Sequence, residues 1–208
     1  MMNYRGLLLE DTHPSASEDA IAALEGELDA RLPDDYRAFL QHCNGAYAEY
    51  DVAVMLASGE PEVLSFSSLF GVDIDRQWDC NPFELQQLRE QPDYPQQGLL
   101  PIGRDGGASL LLLDLRDGGQ QIVAMVAGLP AWTGRRQQGN EFVVLANSFD
   151  AYLDLLHLTD ATVTHHIDSF QVSQDSAEAT LAWLDSGSPG WRERFRERWN
   201  ARVPFMPV

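Results

Sequence analysis

The chain has 208 residues, a formal net charge of −18 and a sequence pI near 4.4, with fourteen basic residues that are all arginine. That length suffices for one well-buried domain plus an appendage or for two small domains, and 44% hydrophobic with 10% aromatic residues excludes a wholly disordered chain. Phosphate backbones and anionic membranes repel such a surface, so the balance points away from both and toward a basic protein partner, with plain solubility as the competing reason for the charge.

The absence of lysine removes Schiff-base chemistry, a Walker-type phosphate lysine and the kinase ion pair together. Cys43 and Cys80 make neither a disulfide framework nor a zinc-ligand pattern. The apolar run Leu7-Leu8-Leu9, flanked by Glu10 and Asp11, is too short for a signal peptide or a membrane span, so a soluble cytoplasmic protein is expected.

In chain order, Ser15 and Glu18 have the spacing of a capping box and predict a first helix with Ile21, Leu24 and Leu28 as its apolar stripe. Only Ala30 and Arg31 separate it from Leu32-Pro33-Asp34-Asp35, which opens a second helix with proline in the first turn and acids at the positive end of the dipole. Tyr36, Phe39, Leu40 and Cys43 share one face of that helix, and Asn44-Gly45 stops it. Residues 51–56 and 62–66 read as a strand hairpin. Asp73, Asp75, Trp78 and Asp79 form an acidic, aromatic-bearing loop, closed by a short helix predicted over residues 82–91. Strands are expected over residues 99–102, 110–115, 120–127 and 142–146, with Gly103 to Gly107 and Asp117-Gly118-Gly119 as turns. Ser148 then caps a helix that turns Phe149, Tyr152, Leu153, Leu156 and His157 inward.

The predicted architecture is α+β: an N-terminal helical hairpin, a largely antiparallel twisted sheet of about five or six strands and a closing helix, together spanning residues 1–160. Residues 161–208 form a C-terminal helical extension. A helix starts at Asp175 and Glu178 and runs through Leu184, and Trp191, Phe195 and Trp199 recur every fourth residue beyond a Ser-Gly-Pro break. Five arginines lie in residues 191–208 against two acids, so this segment is net positive on a strongly negative body. It either packs its aromatic stripe on that body or docks another chain.

Catalytic readings find little support. His42 adjoins Cys43, but neighbours on a helix point about 100° apart, and no Gly-x-Ser-x-Gly elbow accompanies any histidine. His165 and His166, read as a surface or strand pair, fit no metal-ligand spacing even with Asp168 and His157. Gly103 to Gly107 precedes a strand instead of a helix, unlike a phosphate loop. No catalytic, cofactor or metal residues are therefore assigned. The expected partner surface is Asp73, Asp75, Trp78 and Asp79, with Glu49 and Asp51 as further candidates, because acids steer a basic partner and an exposed Trp supplies a hot spot.

The run from Glu25 through Arg31-Leu32-Pro33-Asp34-Asp35-Tyr36-Arg37-Ala38-Phe39-Leu40, followed by Asn44-Gly45, resembles the signature of the SUKH superfamily of SMI/KNR-like domains. The downstream Leu100-Pro101-Ile102-Gly103-Arg104-Asp105-Gly106-Gly107 and the stretch from Val143 into Phe149 agree with that family's order of elements over roughly residues 15–158. Ala46 and Ala108 stand where the family commonly has a second glycine and a small or polar turn residue. The resemblance implies function by binding. Many bacterial members look like immunity proteins that neutralise a toxin domain, often a nuclease, by direct contact, whereas the yeast members imply a regulatory or scaffold role; an uncharacterised hydrolase is the third reading.

Overall fold

In the computed structural model, residues 1–59, 61–74, 98–128 and 139–208 are described. The chain begins with an antiparallel hairpin of β1 (Met2–Tyr4) and β2 (Leu7–Leu9), turned at Arg5 and Gly6, both with positive φ as a tight hairpin turn requires. Leu7 and Leu9 are buried, so the apolar run read above as merely too short for a leader is a core strand.

Helix α1 (Glu18–Leu28) buries Ile21 and Leu24. Its cap is Ser17 in place of the expected Ser15: the Ser17 hydroxyl accepts the Ala20 N–H at 3.1 Å. Helix α2 (Asp34–His42) follows, with Pro33 at the N-cap position, one residue earlier than the first-turn placement. Tyr36, Phe39, Leu40 and Cys43 are all fully buried. Burial of this kind contributes about 1.5–3 kcal/mol for each large side chain. Asn44 and Gly45 both have positive φ and end the helix as the sequence predicts.

Strands β3 (Ala46–Tyr47), β4 (Val52–Met55), β5 (Pro61–Leu64) and β6 (Ser68–Leu69) come next. β4 and β5 pair with each other as the predicted hairpin, with Val52 and Val54 turned inward. The main sheet has six antiparallel strands in the order β10-β9-β8-β7-β6-β3, adding β7 (Leu99–Arg104), β8 (Leu110–Asp114), β9 (Gln121–Val126) and β10 (Glu141–Ala146). β3 and β6, two residues each, are too short to leave a periodic signal.

β7 runs two residues further than expected. Its register shifts between Pro101 and Gly103, and a Cβ on Gly103 would lie 2.9 Å from the Ser68 carbonyl oxygen, so the missing side chain admits the neighbouring strand. The turn itself is Asp105 to Ser109, closed by the Asp105 carboxylate accepting the Gly107 and Ser109 N–H groups.

Helix α3 (Phe149–Leu153), capped by Ser148, packs against α2, β9 and β10, and Phe149 meets Tyr36 and Phe39 at ring distances of 5.1 and 5.0 Å. The helix ends before His157, whose side chain is exposed; only its backbone turns inward, pairing with Asp51.

Three further helices close the chain: α4 (Asp160–Ser169), α5 (Gln174–Gly187) and α6 (Trp191–Arg202). The histidine pair lies in α4, where no helix was expected. Thr159 caps α4 and Asp160 sits in its first turn, while Val163 and Ile167 make its buried side. α5 extends past Leu184 to Gly187 and carries a Ser173–Ser176 capping box. Trp191 and Trp199 are buried edge to face at 5.5 Å, Trp199 stacks on Phe170, and both tryptophans belong to the same hydrophobic cluster as Tyr36 and Phe149.

Candidate binding surface

The most legible segment of the sequence is a set of internal clamps. The Glu25 carboxylate accepts the Leu32 N–H and the Arg37 guanidinium, each at 2.8 Å, and Arg37 reaches Glu18 with its other nitrogen. Burial pushes the Glu25 carboxyl up, but Arg37 and the Leu32 N–H outweigh it and hold the group below the usual glutamate range. Asp35 accepts the N–H of Asp150 at 3.0 Å and so ties α2 to the first turn of α3. Asn44, 3% exposed, donates to the Pro14 and Val72 carbonyls and accepts the Val72 N–H. A Cβ on Gly71 would lie 2.3 Å from the Asn44 carbonyl oxygen, so this contact needs glycine.

The Asn44 clamp fixes the root of the acidic loop. Asp73 follows directly, exposed and with a φ of 49°. Asp75, Trp78 and Asp79 lie outside the described residues, as do Cys80 and the helix expected over residues 82–91.

Glu49 and Asp51 are two residues apart and face opposite ways. Asp51 is 7% exposed and points inward, where one carboxylate oxygen accepts the Thr159 N–H at 2.8 Å and the Thr162 hydroxyl at 2.6 Å. It is committed to the start of α4. Glu49 is exposed, and no ion pair reaches its carboxylate among the described residues. No hydrogen bond or ion pair joins it to Asp73 among those residues.

Glu49 stands instead at a cleft of about 230 Å³. One wall is Leu8, Glu10 and Tyr47, where the backbones of Glu10 and Tyr47 exchange two hydrogen bonds of 2.8 Å. The other wall comes from α4 and α5 and includes His166, Thr180 and Trp183. The Trp183 indole N–H donates to the Glu49 carbonyl at 3.0 Å, and its ring lies 4.4 Å from that of His166, whose Nε2 is 3.2 Å from the Thr180 hydroxyl. Partial loss of water at the cleft wall pushes the Glu49 carboxyl up although the side chain reaches solvent, the negative charges of Glu10 and Asp51 add to this, and the nearby His165 pulls the other way. Burial, together with His165, lowers His166.

Sequence reasoning assigned Glu49 to a partner surface but missed Glu10, Tyr47, His166 and Trp183. They come from four separated segments and share no spacing.

Elsewhere most arginines of the described residues are used internally. Arg5 holds Asp150 and Asp154, Arg31 Asp34, Arg116 Asp114, Arg192 Asp185, Arg194 Asp160 and Arg198 Asp168. Exposed carboxylates such as Asp11, Asp19 and Asp73 take part in no ion pair among the described residues. Among those residues there is also no group of three His, Cys, Asp or Glu side chains that could hold a metal, and no helix long and apolar enough to cross a membrane.

Compared with protein families, residues 15–155 match the model described as SMI1 / KNR4 family (SUKH-1). The chain belongs to this family. Comparison with curated proteins finds no match. The SUKH match covers the Glu25–Arg37 clamp, the Asn44-Gly45 turn, the six-stranded sheet and α3, and it stops before α4. Of the residues lining the Glu49 cleft, Tyr47 and Glu49 fall inside the SUKH match; the others come from residues 1–10 and from α4, α5 and the link between them.

Proposed function

We propose that this SUKH chain is a non-enzymatic, cytoplasmic immunity protein of bacterial type that neutralises a basic, nuclease-like toxin domain by direct contact. The observation that carries the reading is the uncompensated acidity of the surface. The arginines of the described residues largely serve internal ion pairs, while exposed carboxylates including Glu49 and Asp73 are left to face outward. A nuclease that grips phosphate backbones presents a basic surface, and an acidic inhibitor is steered toward it and covers it. Family membership supports the same reading, since SUKH domains act through contact with other proteins.

Residues 1–160 serve as the family unit and residues 161–208 as an extension packed on it. Asp51 is left out of the partner surface because its carboxylate is turned inward. The test is to examine the reading frame beside this chain's gene for a toxin domain and to co-express the two. Survival of cells that the toxin alone kills, together with co-purification of the two chains, is the expected result. A complex with partners that are not toxins, and no protection, would replace this reading with the regulatory one.

A further inference from the structure

The Glu49 cleft has a composition that selects its occupant. It presents two carboxylates, Glu10 and Glu49, with no ion pair among the described residues, beside the rings of Tyr47 and Trp183. Its volume of about 230 Å³ is below the range of pockets that enclose whole metabolites and suits a single long side chain. Carboxylates beside aromatic faces favour a planar cation, because a guanidinium both pairs with carboxylate oxygens and stacks on rings, whereas an ammonium is held more strongly by water.

We propose that this cleft receives the side chain of an arginine from a protein partner, with Glu10 and Glu49 supplying the charge and Tyr47 and Trp183 the aromatic faces. The site is pre-set. The Trp183 indole is anchored on the Glu49 carbonyl, and the Glu10–Tyr47 backbone pair fixes the opposite wall, so little side-chain freedom remains to be lost on binding. It also gives the C-terminal helices a role in recognition, since α4 and α5 build one whole wall from residues outside the family match. The site deepens the immunity reading by naming what the chain grips on its basic partner, yet the site itself can be tested without that partner.

The experiment is a two-dimensional amide NMR titration of the isolated chain with N-acetyl-arginine amide, and in parallel with the lysine and norleucine analogues. Saturable shifts confined to the amides of Tyr47, Glu49 and Thr180 and to the Trp183 indole N–H are expected with the arginine compound. Binding should be weaker for lysine and absent for norleucine. Glu49→Gln, whose exposed side chain makes no hydrogen bond that the fold uses, should weaken the arginine compound by about fivefold, the order of one partly exposed ion pair, with the rest of the spectrum unchanged. Absence of saturable shifts, indifference to Glu49→Gln, or equal binding of the lysine or norleucine compound would overturn the proposal. Because no toxin is present, failure here leaves the immunity reading standing, and failure of toxin protection leaves the cleft result standing.

Discussion

Asp51 and Glu49 illustrate how far a residue's type alone can carry a functional assignment. Both are acids in one short segment and both suit a partner surface on composition. Two hydrogen bonds to Thr159 and Thr162 make Asp51 part of the fold, and their absence leaves Glu49 available. Replacing Asp51 by Ala takes the acceptor from the half-buried Thr159 N–H and leaves the Thr162 hydroxyl only the Thr159 hydroxyl, and is expected to lower stability by about 1–3 kcal/mol in urea unfolding. Asp51→Asn, which keeps an acceptor in place, should recover part of that loss. A neutral Asp51→Ala would mean that these bonds do not hold α4 to the body. The same distinction sets the limit on sequence reading here. Helix caps, apolar stripes and the Asn44-Gly45 stop act over a few residues and could be read directly. The turn of a carboxylate inward or outward depends on a threonine more than a hundred residues away.

At the scale of elements, signals survive in proportion to their length and periodicity. Helix α2 was readable almost to the residue, and β8 and β9 were readable from their apolar runs and the glycine turn between them. The hairpin of β1 and β2, the two-residue strands β3 and β6, and helix α4 were not, because three residues give no period and the His165-His166 pair masks the Val163–Ile167 spacing. The C-terminal helices join the body through a close contact at Gly187. Its backbone carbonyl accepts the Leu158 N–H at 2.7 Å, and a Cβ there would lie 2.5 Å from Leu158 Cγ and 2.8 Å from the Tyr50 ring. Tyr50 continues the connection by bonding the Ser186 hydroxyl and the Leu8 N–H. Gly187→Ala is therefore expected to cost about 1–3 kcal/mol of stability by overpacking and to quicken proteolysis within α5 and α6. Unchanged urea and proteolysis profiles would show that the extension is held by other contacts.

For the whole molecule, the charge distribution is the main functional statement. Three of the five tail arginines that a sequence reading balances against the body are paired in the structure with acids of α4 and α5: Arg192 with Asp185, Arg194 with Asp160, and Arg198 with Asp168. The positive C-terminal segment thus ties the extension together, and the N-terminal hairpin and the family unit keep their surplus of exposed carboxylates. Such pairs are individually weak, since most are a third or more exposed, and the buried Trp191 and Trp199 carry more of the packing. On the proposed reading, a molecule arranged in this way attracts its basic partner at long range before any contact forms. The direct test of the proposed reading is the association rate of the purified chain with a toxin domain found encoded beside its gene, followed by stopped flow as salt is raised. The account predicts fast association that falls steeply with ionic strength while dissociation changes little. An association rate indifferent to salt, or no complex at any salt concentration, would contradict it.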